Sequence, residues 1–441
     1  MKNYILAIFA LLLIAAKGYG SDNTFNVLSY GAKGDGKTDD AKAIQAAIDA
    51  CTADGGGVVL LPKGHTFMAG PIELKSNIEL HLEVGATLLA NPNEDIYKMS
   101  AFGENRGEGM MWLWCDNINN LSITGRGTID GNGVAFMGKE LEDSYELKPL
   151  KDPKFDPRPH VLTLKRVNHL TIRDVTIRQG AYWTVHLIGC YDALIDGISL
   201  LNNLKIRNGD GIDVDHSRKV RIANCFIESG DDCICLKNRR EYEECGPCQD
   251  IVVTNCVMTG RSCAIKIGSE NMDSISHVII DNCVIKASNR GLGIQNRDEG
   301  TVTDIIFSNI IMECRYFTDV WWGKAEPIYV TSYPRAVGNH KDAGWRFPKG
   351  ATEGKCGEVS RITFLNIQGT SPNGCFIGGD TPDKVNNIVI ENCRLTLPTD
   401  ERMTRYDARP RVGEGFIETP LTELYVEKAA KVTFNGKTYA E

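Results

Sequence analysis

Six near-copies of one phrase, a run of β-branched residues broken by a single asparagine, constrain this chain more than any other feature. They are IANCFI around Asn224, VTNCVM around Asn255, IDNCVI around Asn282, FSNIIM around Asn309, FLNIQG around Asn366 and IENCRL around Asn392. Looser copies precede them, TIRDVTI at Asp174 and LIDGISL at Gly197. Successive breaks are 23, 27, 31, 27, 27, 57 and 26 residues apart, so the long interval is two turns or one turn with an insertion. Each copy reads as a short strand of period 2, a polar break, and a second short strand. A repeat near 25 residues made only of strands and turns winds into a solenoid of stacked coils. Leucine-rich repeats share the period, but their leucine scaffold and helical arc are absent. The expected fold is all-β, a parallel β-helix.

The recurring asparagine suits a corner, because it tolerates the left-handed backbone and bonds neighbouring amides. Stacked coil upon coil it predicts an internal amide ladder, with the following Cys or Ile filling the core. The N-terminus departs from the repeat. Asp39 to Cys51 has helical spacing at Ala41, Ile44, Ala47 and Ile48 behind an acidic start, which predicts a short helix capping the open end. Tyr316 to Gly354 interrupts the repeat with eight aromatic residues, among them Trp321, Trp322, Tyr329, Tyr333, Trp345 and Phe347, and reads as long loops beside a cleft. No Pro/Gly/Ser linker divides the chain, so residues 21–441 are expected to form one elongated domain.

Two acidic clusters lie about one repeat apart: Asn208-Gly209-Asp210 and Gly230-Asp231-Asp232, with 21 residues from Asp210 to Asp231. On a β-helix, residues one coil apart stack about 4.8 Å from each other on the same face. Adjacent residues of a regular strand face opposite ways, so Asp231 and Asp232 can both point outward only across a kink, which Gly230 permits. Three acids at close quarters cannot all ionise cheaply, so one is pushed towards staying protonated. An acid for the leaving oxygen and a carboxylate for the water are what glycoside hydrolysis needs. Asp213 and Asp215 share a strand face and read as supporting or surface acids. Taken singly, such acids are Asx-turn residues or calcium ligands.

Lys2 followed by the apolar run Ile5–Ala16 and small residues at 18–21 reads as a signal peptide over residues 1–20, giving a secreted or periplasmic protein with no membrane attachment after cleavage. With 57 acidic and 49 basic residues the chain carries a net charge of −8, which argues against a nucleic-acid partner. An anionic polymer would therefore need a local basic patch. Fifteen cysteines would suggest disulfides in a secreted chain, but several occupy the core slot of the repeat, where a thiol acts as a small hydrophobe. Cys233, Cys235, Cys245 and Cys248 could be read as a metal cluster. The preferred reading places Cys233 and Cys235 on one strand face and Cys245 and Cys248 in a loop, where they could pair as a disulfide. No metal or cofactor is expected.

At these residues the chain resembles glycoside hydrolase family 28, the polygalacturonase family. FNVLSYGAKGDGKTDDAKAIQAAIDAC resembles the family's N-terminal cap, and the stretch ending at Trp183 and His186 its Trp-x-x-His phrase. Asn208-Gly209-Asp210 matches an Asn-Thr-Asp motif, and Gly230-Asp231-Asp232-Cys233 a Gly/Gln-Asp-Asp-Cys motif. The resemblance implies a right-handed parallel β-helix and inverting hydrolysis of a pectic polysaccharide or its oligosaccharides, with endo or exo action open; a monomer is expected. It implies Asp231 as general acid, with Asp210 and Asp232 orienting and activating water, and it sets Asn208 and Tyr333 beside the substrate. Two departures stand out. The family's Gly-His-Gly phrase aligns with Ser262-Cys263-Ala264, and its Arg-Ile-Lys phrase, which grips a uronate, with Gly293-Ile294-Gln295. Lys237, Lys266, Arg290 and Arg297 are the cations placed to compensate, with Gln295 in the lysine's slot. Two other classes compete: a calcium-dependent polysaccharide lyase, and a glycan-binding solenoid without catalysis.

Overall fold

The computed structural model describes residues 23–102, 108–142, 146–150, 157–318, 322–334, 355–398, 405–411 and 414–439. The expected signal segment, Trp321, Trp345 and Phe347 lie outside them. One large sheet of parallel strands winds through the chain, as expected of a parallel β-helix. The site is carried by one column of stacked strands: β1 (Val185–Ile188), β2 (Ile212–Asp215), β3 (Ile234–Asn238), β4 (Cys263–Asn271), β5 (Arg290–Asn296), β6 (Ile328–Ser332), β7 (Cys375–Gly379) and β8 (Leu424–Glu427). Each pairs in parallel with the next.

The coils that carry the acids have three strands where the repeated phrase announces two, while in later coils the two outer ones run on as one, as in Ser274–Ser288. Between β2 and β3, for example, run Arg218–Ala223 and Phe226–Ser229, separated at Asn224. Alternation decides what faces inward. Val185, Ile212, Ile234, Ile265, Leu292 and Ile328 form one inward column, and Leu187, Val214, Leu236, Ile267, Ile294 and Val330 another, all buried. The interior is packed with apolar side chains, which stabilises coils that could not stand alone.

All eight breaks of the repeat adopt positive φ, from 50° at Asn392 to 66° at Gly197. The following Cys225, Cys256, Cys283, Ile310, Ile367 and Cys393 are buried, as the phrase implies. The ladder forms but is external, not internal. Asn224 donates to Asp196, Asn255 to Asn224, Asn309 to Asp281, Asn366 to Asn309 and Asn392 to Asn366, all at exposed positions. A left-handed corner turns its side chain outward and leaves the interior to the next residue. Asn309 and Asn366 bond directly, so the 57-residue interval is one coil with an insertion.

Helix α1 (Ala41–Ala53) buries Ile44, Ala47, Ile48 and Cys51 against the first coil. At the other end Ala430–Phe434 is closed by an antiparallel partner, Lys437–Tyr439. No helix among the described residues is long and apolar enough to cross a membrane. All fifteen cysteines are free thiols, which corrects the disulfide suggested at Cys245 and Cys248. Cys248 opens a strand with its thiol 3.5 Å from the Val214 carbonyl oxygen, while Cys245 ends a 3₁₀ segment. Cys233 and Cys235 do not share a face either. Regular strand begins only at Ile234, so Cys233 turns into the core while Cys235 points out, 3.0 Å from the Gly268 carbonyl oxygen.

Candidate active site

The outward column runs through His186, Asp213, Cys235, Lys266, Gly293 and Tyr329 on consecutive coils. Asp210, Asp231 and Asp232 sit where the chain enters β2 and β3. A carboxylate oxygen of each lies within 4.8 Å of the other two, and all three residues are buried. The winding expected from the 21-residue spacing therefore brings them together.

Backbone contacts fix this arrangement. The Thr184 N–H donates to the Asp210 carbonyl, and the Gly211 N–H to that of Asp232. The Ser229 hydroxyl lies 2.8 Å from the carbonyl oxygens of both Gly209 and Asp232, and accepts the Asp231 N–H at 3.2 Å. The strand ends at Ser229 and resumes at Ile234, and this kink lets both acids face the pocket. Gly230 serves it through close approach, because a Cβ there would stand 2.2 Å from the Ile206 carbonyl oxygen.

The acids differ in surroundings. Asp232 is a salt-bridged carboxylate: Lys266 Nζ lies 2.8 Å from Oδ2, and the Cys263 N–H donates to Oδ1 at 3.1 Å. Burial, then the Asp232 charge, pushes Asp231 up to about 7. Burial also drives Asp210 well above the usual carboxylate range, helped by Asp231 and Asp213, and its Oδ1 has no hydrogen-bond partner. Burial opposes the charge on Lys266, but Asp232 more than compensates and raises its pKa.

Behind the acids lies a second buried layer. Lys237 Nζ sits 2.7 Å from Asp213 Oδ1 and 3.7 Å from the Trp183 ring centre. Burial lifts Asp213 to about 6, while Lys237 pulls it down. His186 Nε2 lies 3.3 Å from Asp215 Oδ2; Trp183 and His160 pack against its ring, and Tyr182 and Phe102 against His160. Desolvation keeps His160 and His186 neutral. On the opposite side a cleft is lined by Ser262, Cys263, Lys266, Arg290, Gly293, Gln295, Trp322 and Tyr329.

The profile of the glycosyl hydrolases family 28 matches residues 51–316, more than half of the sequence, including all three acids. The chain belongs to family 28. It is 31% identical to an exopolygalacturonase of Zea mays over 258 residues, 58% of this chain and 56% of the relative. It is 27% identical to a polygalacturonase of Malus domestica, over 84% of this chain and 74% of that one. The chain spans just over half the length of the first curated relatives it matches. Among solved structures, a hyperthermoactive exopolygalacturonase from Thermotoga maritima superposes with a TM-score of 0.65 at 19% identity, over 96% of this chain and 94% of that one. That likeness concerns the fold.

Within this family-28 site the remaining expected residues fall into two groups. Lys266, Arg290 and Gln295 line the cleft. Asn208 is half-buried in a left-handed turn (φ 56°) two residues before Asp210. Three others are not brought to the cleft. Lys237 is spent on Asp213 and Trp183 instead of facing a substrate, because it is almost wholly buried. Tyr333 is buried in an aromatic cluster and its hydroxyl donates to Glu427 at 2.5 Å. Arg297 is buried just past the end of β5. Asp213 and Asp215 are fully buried supporting acids, not surface ones.

Sequence reading missed the lining roles of Ser262 and Gly293; Trp322 and Tyr329 come from the aromatic segment read as loops beside a cleft, although Tyr329 stands on β6. The alternation Ile265, Ile267 against Lys266 carried a usable signal, since it turns Lys266 outward beside the acids. The three clustered carboxylates are the only metal-type ligand set among the described residues, and the Lys266 ammonium already balances one of them.

Proposed function

We propose that this chain is a secreted, polygalacturonase-like glycoside hydrolase that cleaves glycosidic bonds in a pectic polysaccharide. The observation that carries this is the division of labour among three clustered carboxylates. Asp231, pushed up to about 7, keeps its proton until the pH rises through that value, while Asp232 is ion-paired through Lys266. Asp231 donates to the departing glycosidic oxygen, which then leaves as a neutral alcohol. Asp210 helps to orient a water, and Asp232 accepts its proton as it attacks the anomeric carbon. Lys266 and the Cys263 amide hold Asp232 in place. Secretion rests on the apolar run Ile5–Ala16, and the domain is read as a single solenoid from residue 21 acting as a monomer.

Inversion is what the resemblance implies. Retention is the alternative outcome, in which a carboxylate itself attacks the anomeric carbon. The anomer first released from a pectic oligosaccharide, followed by proton NMR, separates the two. Inversion appears as the anomer opposite to that of the bond cut. A panel of pectic polymers tests the hydrolase reading itself: new reducing ends support it, unsaturated products lost on chelation point to the lyase, and no product at all removes it.

A further inference from the structure

A second concavity lies on a different edge of the solenoid from the acids, and the winding accounts for it. Leu61, Leu82 and Gly125 stack on successive coils, and the chain turns after each to reach the next stack, Thr66, Thr87 and Thr128. Residues 62–65 and 83–86 make four-residue corners, whereas 126–127 make the same corner with two. The short corner is drawn in against the coil before it. The Gly127 N–H donates to the Leu82 carbonyl oxygen at 3.0 Å, and a Cβ on Gly125 would stand 2.0 Å from that atom. The two longer corners stand out beyond it and leave a groove of about 340 Å³, lined by Lys63, His81, Glu83, Val84, Gly125 and Arg126. Further on, the same edge carries the asparagine ladder, since Thr128 stacks in turn with Thr176, Ser199 and Phe226.

The charges in this groove differ from those on the neighbouring wall. There arginines meet carboxylates: Arg166 with Asp116 and Arg178 with Asp130, each at 2.7 Å, and Arg173 with Asp196 at 3.4 Å. Lys63 and Arg126 are exposed and have no ion pair among the described residues. The acid beside them, Glu83, is held by the backbone, accepting the Lys63 N–H at 2.9 Å. His81 Nδ1 lies 3.0 Å from Glu79 Oε1 and 2.9 Å from Thr124 Oγ1, which leaves Nε2 as the ring nitrogen open to a ligand. In a chain of net charge −8, two unpaired cations at one groove reverse the field locally and draw anions. Their corners are two coils apart, roughly 10 Å along the axis. That spacing suits charges repeated along a chain better than a single small ion.

We infer that this groove is a second glycan site, separate from the catalytic centre, which grips the carboxylates of a uronate-bearing chain. The inference takes its ligand class from the pectic reading above and concerns holding the polymer, not cutting it. The Arg126 guanidinium pairs with a carboxylate as a fork and the Lys63 ammonium as a point charge. Exposed Val84 offers apolar surface for the C–H face of a sugar ring. A long chain held both here and at the acids gains affinity through its own connectivity, whereas a short oligomer occupies one place at a time.

Affinity electrophoresis tests this through gels that contain polygalacturonate, or the same polymer fully methyl-esterified and so without charge. K63S/R126S should lose at least about fivefold in affinity for the charged gel and match wild type in the esterified one. K286S/K431S removes the same charge from exposed positions on distant coils, and should stay within about twofold of wild type. In turnover, K63S/R126S should keep the wild-type kcat/KM on a galacturonate trimer, while its KM on long polymer rises about fivefold. Equal retardation of wild type and K63S/R126S, or equal losses in the two double variants, overturns the groove. A loss of affinity for inorganic phosphate with none for the polymer assigns it to small anions and likewise overturns it. If no pectic polymer is cut, the hydrolase reading fails while the gels still judge the groove.

Discussion

The Lys237 ammonium reaches back diagonally across one coil to Asp213, Nζ to Oδ1 2.7 Å, although the residue directly opposite it in register is Asp215. Asp215 is already engaged by the Arg239 N–H at 2.9 Å and by His186. Removing one member of a buried pair leaves an uncompensated charge, which costs about 3–5 kcal/mol, whereas replacing both by apolar groups is often neutral. K237M should therefore lower unfolding stability by that order at pH 7.5, and the double change K237M/D213L should recover most of it. Urea unfolding of both variants reads this directly. A double variant as unstable as the single one would show that the pair holds nothing together.

The acids also set a dependence of stability on pH. Asp213 is raised to about 6 and Asp231 to about 7, with Asp210 raised as well, against 3.8 for an ordinary aspartate. Between pH 4 and 7 the native state keeps protons that the unfolded chain has released. Their contribution is complete below pH 3.8 and is lost as pH rises through 6 and 7. Wild-type protein should thus be less stable at pH 8 than at pH 5 by about 2–4 kcal/mol from this cluster. D231N should flatten the drop. Thermal melts at the two pH values, run on both proteins, settle it; an unchanged difference in D231N excludes Asp231 as a source.

Much of this site was legible because the repeat period is legible. Asp210 and Asp231 stand 21 residues apart in a chain whose coils use 23 to 31, so their stacking follows from counting. Pairings that skip coils or reach into the insertion were not legible. Arg290 meets Asp407 across 117 residues and Tyr333 meets Glu427 across 94, and no periodicity connects either pair. Lys237 reads as a cation open to substrate because alternation turns it outward, yet the residue is almost wholly buried, with its ammonium 3.7 Å from the Trp183 ring centre. The Asn ladder was visible as a pattern, but its side of the wall depended on the left-handed φ that the letters alone do not show.

Turnover should depend on Asp231 and Asp232 in different ways. D231N loses the proton donor, and D232N loses the carboxylate that Lys266 and Cys263 hold; each should lower kcat by about 10²–10⁴ with the fold intact. In wild-type protein, activity should fall as pH rises through about 7, where Asp231 releases its proton. Circular dichroism with pH–rate profiles tests both points. Folded variants with near-wild-type rates would remove the catalytic assignment.

Corner geometry makes a separate stability prediction. Asn309 has φ 54°, donates to Asp281 and accepts from Asn366. N309A places a Cβ residue in the left-handed region without the side-chain bonds, at a cost of about 1–2 kcal/mol. N309G removes the same bonds but suits the backbone, so it should cost less. Equal losses in unfolding experiments would assign the effect to the ladder and not to the corner.

Gly230 offers the sharpest test of how the kink serves the chemistry. Its φ is not left-handed, so alanine meets no intrinsic backbone penalty there. A Cβ would, however, lie 2.2 Å from the Ile206 carbonyl oxygen and 2.9 Å from that of Asn203, both rigid backbone atoms. Relief must come from moving the segment that carries Asp231 and Asp232. Misplacing catalytic groups by about 1 Å can cost about 10²-fold in rate. G230A should therefore lose activity far more than it loses stability, and D231N should add little further loss in its background. A G230A protein with unaltered kcat would mean that the acids keep their positions without this close approach.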